Sequence, residues 1–256
     1  MRLRNTYMLA AALVLMLASS RILPAADDKD KTPQKPATAS APAQTPIQTK
    51  ETILRKLDVS AKTFRTTTAD FQFHSIQTDP VFDDDVQEGT VYYERTGATC
   101  QMAGHIAKVN GQPVPKVYTY SHGVFQLYEK LINQITVFKT GNKAESYVIL
   151  GFGASGKDLE DKWEITYLGP ETLPDGKINV KTEKLELIAK DPEVRKNISR
   201  VIVWIDPERA ISLKQIIYEG ASERRENFFF NIKLNQPQPA DAFTFKTDGK
   251  PNIVNR

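Results

Sequence analysis

The chain has 256 residues, with 34 Lys and Arg against 31 Asp and Glu. The formal charge of +3 belongs wholly to Arg2, Arg4 and Arg21, because residues 27–256 carry 31 basic and 31 acidic side chains. That balance gives no ground for binding nucleic acid or an anionic membrane. A single cysteine, Cys100, excludes an internal disulfide framework.

The first 26 residues have the layout of a secretory signal peptide. Arg2 and Arg4 make a positive start, Met8 to Ala18 is an uncharged apolar run, and small residues follow at Ala18-Ser19-Ser20 and Pro24-Ala25-Ala26. The run is too short to span a bilayer. Cleavage is expected after Ala26, with Ser20 as the alternative. No cysteine near that point would carry a lipid anchor, so a soluble exported protein is expected. Residues 27–46 hold four prolines and no aromatic residue. Such a stretch buries too little apolar surface to offset its ordering entropy and reads as a flexible tether.

From residue 47 onward the chain reads as one domain. Thr45-Pro46-Ile47-Gln48 has the capping-box layout of a helix start. Ile53, Leu57, Ala61 and Phe64 then recur at helical spacing and form one apolar stripe. Nearly everything after it alternates as strands: Ala69 to Phe73, Val91 to Glu94, Cys100 to Ile106, Val117 to Tyr120, Val124 to Tyr128, Gln134 to Phe138, Trp163 to Leu168, Ile178 to Leu187, Val201 to Ile205, Ile211 to Tyr218, Phe228 to Leu234 and Phe243 to Phe245. Asn110-Gly111 and Ser121-His122-Gly123 read as tight turns, and a change of apolar parity predicts a bulge near Glu183. Short helices are expected at Lys157 to Lys162 and Asp191 to Ile198. About ten or eleven strands with short turns imply a mainly β, antiparallel meander that must curl to hide its apolar face. The expected architecture is an incomplete barrel with the helix across its mouth.

Few residues carry an argument for catalysis. Gly151-Phe152-Gly153-Ala154-Ser155-Gly156 matches a dinucleotide fingerprint, but hairpins rather than βαβ units follow it, so a flexible Gly-rich loop is expected. Ser155 lacks the last glycine of a nucleophile elbow, and His122 sits in a turn. His74, His105 and Cys100 lack paired metal-ligand spacing. Asp83-Asp84-Asp85 lacks the glycine and distal glutamate of a calcium loop and reads as a solvated hairpin tip. No catalytic residue, metal or cofactor is therefore expected, and the chain reads as a non-enzyme.

The aromatic strands suggest a binding site instead. Phe71, Phe73, Tyr93, Met102, Phe125, Trp163, Trp204, Phe228 and Phe230 fall where one sheet face would gather them. A single helix has too narrow a stripe to cover so wide a sheet, so some apolar concave surface is left for a ligand. Ile53, Leu57 and Phe64 are the expected lid residues.

These features resemble the LolA-type family of periplasmic carriers of outer-membrane lipoproteins. The resemblance rests on Ile53-Leu-Arg-Lys-Leu57, Asp70-Phe-Gln-Phe73, Gly89-Thr-Val-Tyr-Tyr93 leading to Arg95, Ser121 to Tyr128, Val203-Trp-Ile-Asp206, Leu213-Lys-Gln-Ile216, Asn227 to Asn231 and Phe243-Thr-Phe245. The Pro/Ala-rich stretch and the Gly151–Gly156 insertion are closer to a secreted branch of the superfamily found mainly in planctomycetes. The resemblance implies a bent antiparallel sheet with a helical lid over an apolar cavity. It also implies a monomer that accepts lipid-modified proteins from an inner-membrane ABC transporter and passes them to an outer-membrane receptor. Thr96 to Gln101 replaces the family's proline and aromatic-arginine pair, so its lid-latching arginine has no counterpart by sequence. The same fold also serves periplasmic sensors that bind an anti-sigma factor, which is the alternative reading.

Overall fold

The structure, a computed structural model, describes residues 49–97, 99–139 and 149–256. The expected signal peptide, the tether and the Thr45–Gln48 capping box lie outside them. The first described helix, α1 (Lys50–Thr63), starts later than that box suggests. Its N-cap is Thr49, whose hydroxyl accepts from the Thr52 amide at 3.3 Å. Ile53, Leu54 and Leu57 are buried along one face. No helix among the described residues is long and apolar enough to cross a membrane.

The strands are β1 (Thr66–Gln77), β2 (Asp83–Thr96), β3 (Thr99–Val109), β4 (Gln112–Ser121), β5 (Val124–Glu129) and β6 (Gln134–Lys139), then β7 (Trp163–Asp175), β8 (Ile178–Ala189), β9 (Arg200–Asp206), β10 (Ile211–Glu219), β11 (Glu223–Leu234) and β12 (Asn252–Asn255). Short helices α2 (Gly156–Lys162) and α3 (Pro192–Arg195) interrupt them where the sequence places them. Both expected tight turns form. Asn110 and Gly111 have φ of 50° and 75°, and His122 and Gly123 have 50° and 74°. Positive φ at both central residues matches the right-handed twist of the flanking strands.

All twelve strands form one sheet in the order β12-β6-β5-β4-β3-β2-β1-β11-β10-β9-β8-β7. It is mainly β, strongly curved and not closed, as the sequence suggests. Two antiparallel meanders, β1–β6 and β7–β11, meet where β1 pairs β11. β6 lies between β5 and the short edge strand β12 at one end of the sheet, and β7 is the opposite edge. The chain between them must cross from one side to the other, and that crossing builds the site described below.

Three local expectations are corrected. Phe243-Thr244-Phe245 is not a strand. The chain closes instead with β12, parallel to β6, while Phe245 stacks on Tyr128 at 5.1 Å between centroids. Asp83-Asp84-Asp85 is not the hairpin tip but the start of β2. There Asp84 meets His74 at 3.0 Å, and Asn110 Nδ2 donates to Asp85 Oδ1 at 2.8 Å. The parity of β8 does change at Thr182 and Glu183, both buried, but the extra residue sits opposite. Tyr167 pairs Leu185 and Gly169 pairs Lys184, which leaves Leu168 as the bulge.

The concave face divides into two buried clusters. Beneath α1 and α2, Ile53, Leu57, Leu159, Trp163, Leu185 and Val203 pack together on the β7–β9 side. Across β1–β5, β10 and β11, Phe71, Tyr93, Tyr118, Phe125, Phe152 and Phe229 form the other. Tyr93 and Tyr118 are 0% and 6% exposed, and burial pushes both phenol pKa values well up. A raised phenol pKa favours the protonated group in the fold. Stability from this source is complete below the free phenol's pKa of about 10 and is lost as pH climbs through the native value. Ultraviolet titration should therefore find these two tyrosines, together with Tyr167 (pushed up to about 12), silent to about pH 11, and urea unfolding should show stability falling above about pH 10. Tyr118→Phe should flatten that fall; an unchanged fall in that variant counts against the assignment.

Candidate functional site

The connection towards β7 crosses the concave face as a strap. Ile149–Gly151 makes a short 3-10 turn, after which Phe152 forms an isolated antiparallel bridge with Ile211. The Gly153 amide donates to the Ala210 carbonyl at 2.8 Å. From the other side, Arg95 Nη1 donates to the Gly153 carbonyl at 2.8 Å. Ser155 then caps α2: its Oγ accepts from the Asp158 amide at 3.0 Å and donates to Asp158 Oδ2 at 2.7 Å.

This corrects the reading of Gly151–Gly156 as a flexible loop, because Gly151, Phe152, Gly153, Ala154 and Gly156 are all buried. The glycines are there for close approach. A Cβ on Gly151 would strike the Gln215 amide, and one on Gly156 the Leu54 carbonyl of α1. Gly153 has φ of 71°, and a Cβ there would sit 2.5 Å from the Phe64 ring. The dinucleotide-like spacing therefore lets a backbone lie flat between a helix and a sheet.

Phe152 is the centre of the strap. Its ring stacks on Tyr93 at 5.6 Å and meets Phe229 edge-on at 5.1 Å. Beside it a hollow of about 160 Å³ remains. Phe73, Val91, Met102, Tyr118, Phe125 and Phe229 form its apolar wall. Ser75, Asp85, Gln215, Arg225 and Asn227 line its other side. The volume is near that of a cavity that takes one benzene ring and below the roughly 300 Å³ of an ordinary ligand pocket.

Of the residues that the sequence suggests for a cavity, Phe73, Met102 and Phe125 line this hollow. Phe71 and Tyr93 lie next to it, Phe71 stacked on Phe73 at 4.1 Å and Tyr93 beneath Phe152. The other four do not converge on it. Trp163 opens β7 and packs in the cluster under α1 and α2. Trp204 is on the convex face, with the ammonium groups of Lys184 and Lys214 at 4.6 and 4.8 Å from its ring and its Nε1 donating to Glu171 at 2.7 Å. Phe228 and Phe230 also turn outward, and Phe229 takes the inner face. A bulge explains this. Thr68 pairs Lys233 but Asp70 pairs Phe230, and Asn231 has φ of 54°, so alternation along β11 shifts by one at Asn231. Among the expected lid residues, Phe64 reaches the aromatic cluster at the strap, whereas Ile53 and Leu57 cover the β7–β9 side.

The residues set aside by sequence are engaged elsewhere. His74 meets Asp84 at 3.0 Å, His105 Nε2 is 2.9 Å from the Ala242 carbonyl, and Cys100 is buried in the core. His122 Nδ1 is 2.7 Å from Ser121 Oγ rather than near Ser155. Among the described residues no group of three His, Cys, Asp or Glu could hold a metal ion. Sequence reasoning missed Phe152, Phe229, Arg95 and the polar lining. Although no lid-holding arginine could be assigned by sequence, Arg95 holds the strap. The topology that sends β6 and β7 to distant places in the sheet is the signal that would have found Phe152.

Gly153→Ala is expected to cost about 2–4 kcal/mol, because the change combines a positive φ with overpacking against Phe64. Gly97→Ala, at φ of 63° in open space, should cost about 1 kcal/mol. Urea midpoints of the two variants would separate these effects, and equal losses would refute the close-packed strap.

No protein-family model matches the chain, and no curated protein matches it. Solved structures do show likeness. An uncharacterized conserved protein from Thermus thermophilus aligns over 82% of this chain and 100% of its own, at 12% identity and a TM-score of 0.49. A LolA superfamily protein from Nitrosomonas europaea aligns over 77% and 98%, at 13% identity and a TM-score of 0.37. MucB of Pseudomonas aeruginosa, solved with MucA, aligns over 77% and 61%, at 10% identity and a TM-score of 0.44. These are likenesses of overall shape and assign no activity.

Proposed function

We propose that this protein is an exported, soluble, non-enzymatic carrier that shields an acyl chain, of a lipid-modified protein or a related apolar ligand, during transfer towards the outer membrane. In this reading residues 1–26 direct export and are removed, and residues 27–46 form a tether. The observation that carries the proposal is the aromatic-walled hollow on the concave face, bordered by Phe152 on a strap that Arg95 and Ala210 hold by hydrogen bonds. Each acyl CH₂ left in water costs about 0.8 kcal/mol, so a sixteen-carbon chain costs on the order of 12 kcal/mol and needs shelter in transit.

At 160 Å³ the hollow holds a ring-sized group but not a long chain. Loading a long acyl chain therefore requires the strap to lift and Phe152 to leave Tyr93 and Phe229. The lifted state is a minor one, so the apparent affinity falls by its population. That weakening suits a carrier, which must release its ligand to an acceptor that binds it better. The Arg95 contact to Gly153 and the Phe152 ring stacking set the balance.

Phe152→Ala is expected to lower unfolding free energy by about 3–5 kcal/mol and to open the hollow. The same variant should bind a fluorescent fatty-acyl ester probe more tightly than the unaltered protein. Native mass spectrometry of gently purified protein should detect an acyl-bearing ligand. Absence of both probe binding and a co-purified acyl species would refute the carrier and turn attention to a partner-binding sensor.

A further inference from the structure

The hollow is apolar along one wall only. Asp85, Ser75, Arg225 and Ile217 stand in one cross-strand row of its lining, and Phe73, Asn227 and Gln215 in the next. Directly opposed residues of an antiparallel pair share a face, and successive rows on that face are two residues, or about 7 Å, apart. An acyl tail lying against Phe73, Met102 and Phe125 therefore brings its head within a row or two of these polar side chains.

The neighbours of Arg225 decide which head fits. Its Nε is 3.1 Å from Glu219 Oε2, and Asp85 lies on the other side of Ser75 in the same row. Burial raises the Glu219 carboxyl pKa even against the pull of Arg225, and burial lowers that of Arg225. A carboxylate head would have to shed its water beside two acids, with the guanidinium already engaged by one of them. An uncharged head loses less on leaving water. Asn227 Nδ2 donates to Gln215 Oε1 at 3.3 Å, which leaves the Gln215 amide to donate to a ligand carbonyl and Asn227 Oδ1 to accept from a ligand hydroxyl or amide.

We propose that the hollow takes acyl esters and amides, with Gln215 and Asn227 meeting the uncharged head, and discriminates against the corresponding free fatty acids. The proposal rests on the carrier reading and adds the class of head group. Calorimetric titration of the purified protein with monolauroylglycerol and with laurate, at about pH 8 where the carboxyl is ionised, compares two ligands with the same tail. The ester should bind at least about tenfold more tightly. Gln215→Leu should weaken the ester about tenfold and leave laurate unchanged. Glu219→Gln, which removes one of the acids beside Arg225, should bring laurate to within about threefold of the ester. Laurate binding as tightly as the ester to the unaltered protein would overturn the head-group proposal and leave the carrier standing. Binding of neither ligand would overturn both.

Discussion

An open sheet that curls around its own apolar face has to be covered from the concave side. In this chain the cover is set by connectivity. β6 lies beside β12 at one end of the twelve-strand order, while β7 forms the opposite edge. The described part of the link between them, Ile149 to Ser155, runs against β10 and α1 beside the hollow. Phe152 is placed there because the path crosses Ile211, where the backbones bridge. Once that ring lies between Tyr93 and Phe229, the apolar face splits into two clusters, one filled by helices and one filled by the strap.

The two clusters differ in what covers them. On the β7–β9 side, α1 and α2 lay Ile53, Leu54, Leu57 and Leu159 onto Leu185, Leu187, Val201 and Val203, and these residues are 4% exposed or less. Filling by rigid helices leaves little to displace. On the β1–β5 side the described cover is the Phe152 ring with Phe64 beside it, and a hollow of about 160 Å³ remains next to them. Interiors are normally packed to crystal density, so a residual hollow beside one ring marks a place of weak cohesion. Polar contacts that hold the ring down include Arg95 to the Gly153 carbonyl and the Gly153 amide to Ala210 at the Phe152–Ile211 bridge. A ligand that reproduces the contacts of one benzene ring would replace much of what Phe152 supplies.

The polar lining changes the character of this site. Asp85, Arg225, Asn227 and Gln215 would be an odd set to leave beside an apolar void if it served packing alone. Their ladder positions put them on the inner face, and the ion pair of Arg225 with Glu219 offsets part of their burial. A hollow with a greasy wall and a hydrogen-bonding end is matched to an amphiphile, and the balance of acids around Arg225 disfavours a negative head.

Much of the fold was legible in the residues. Alternation in Ala69 to Phe73 or Val117 to Tyr120 reports a strand with one buried face, because side chains alternate across the pleat. Asn110-Gly111 and His122-Gly123 report their turns, because few residues accept positive φ. Legibility stopped where both faces are buried or the pleat slips. Val201-Ile-Val-Trp-Ile-Asp206 is apolar almost throughout, so no alternation shows that Trp204 points outward. Phe228-Phe229-Phe230 offers three equal rings, and only the bulge at Asn231 selects Phe229. The sequence by itself determined most of the strands and both tight turns. The tertiary structure alone decided which rings face the hollow, that Arg95 meets Gly153, and that Phe152 covers the site, because these follow from ladder register and chain path, contacts between residues far apart along the chain.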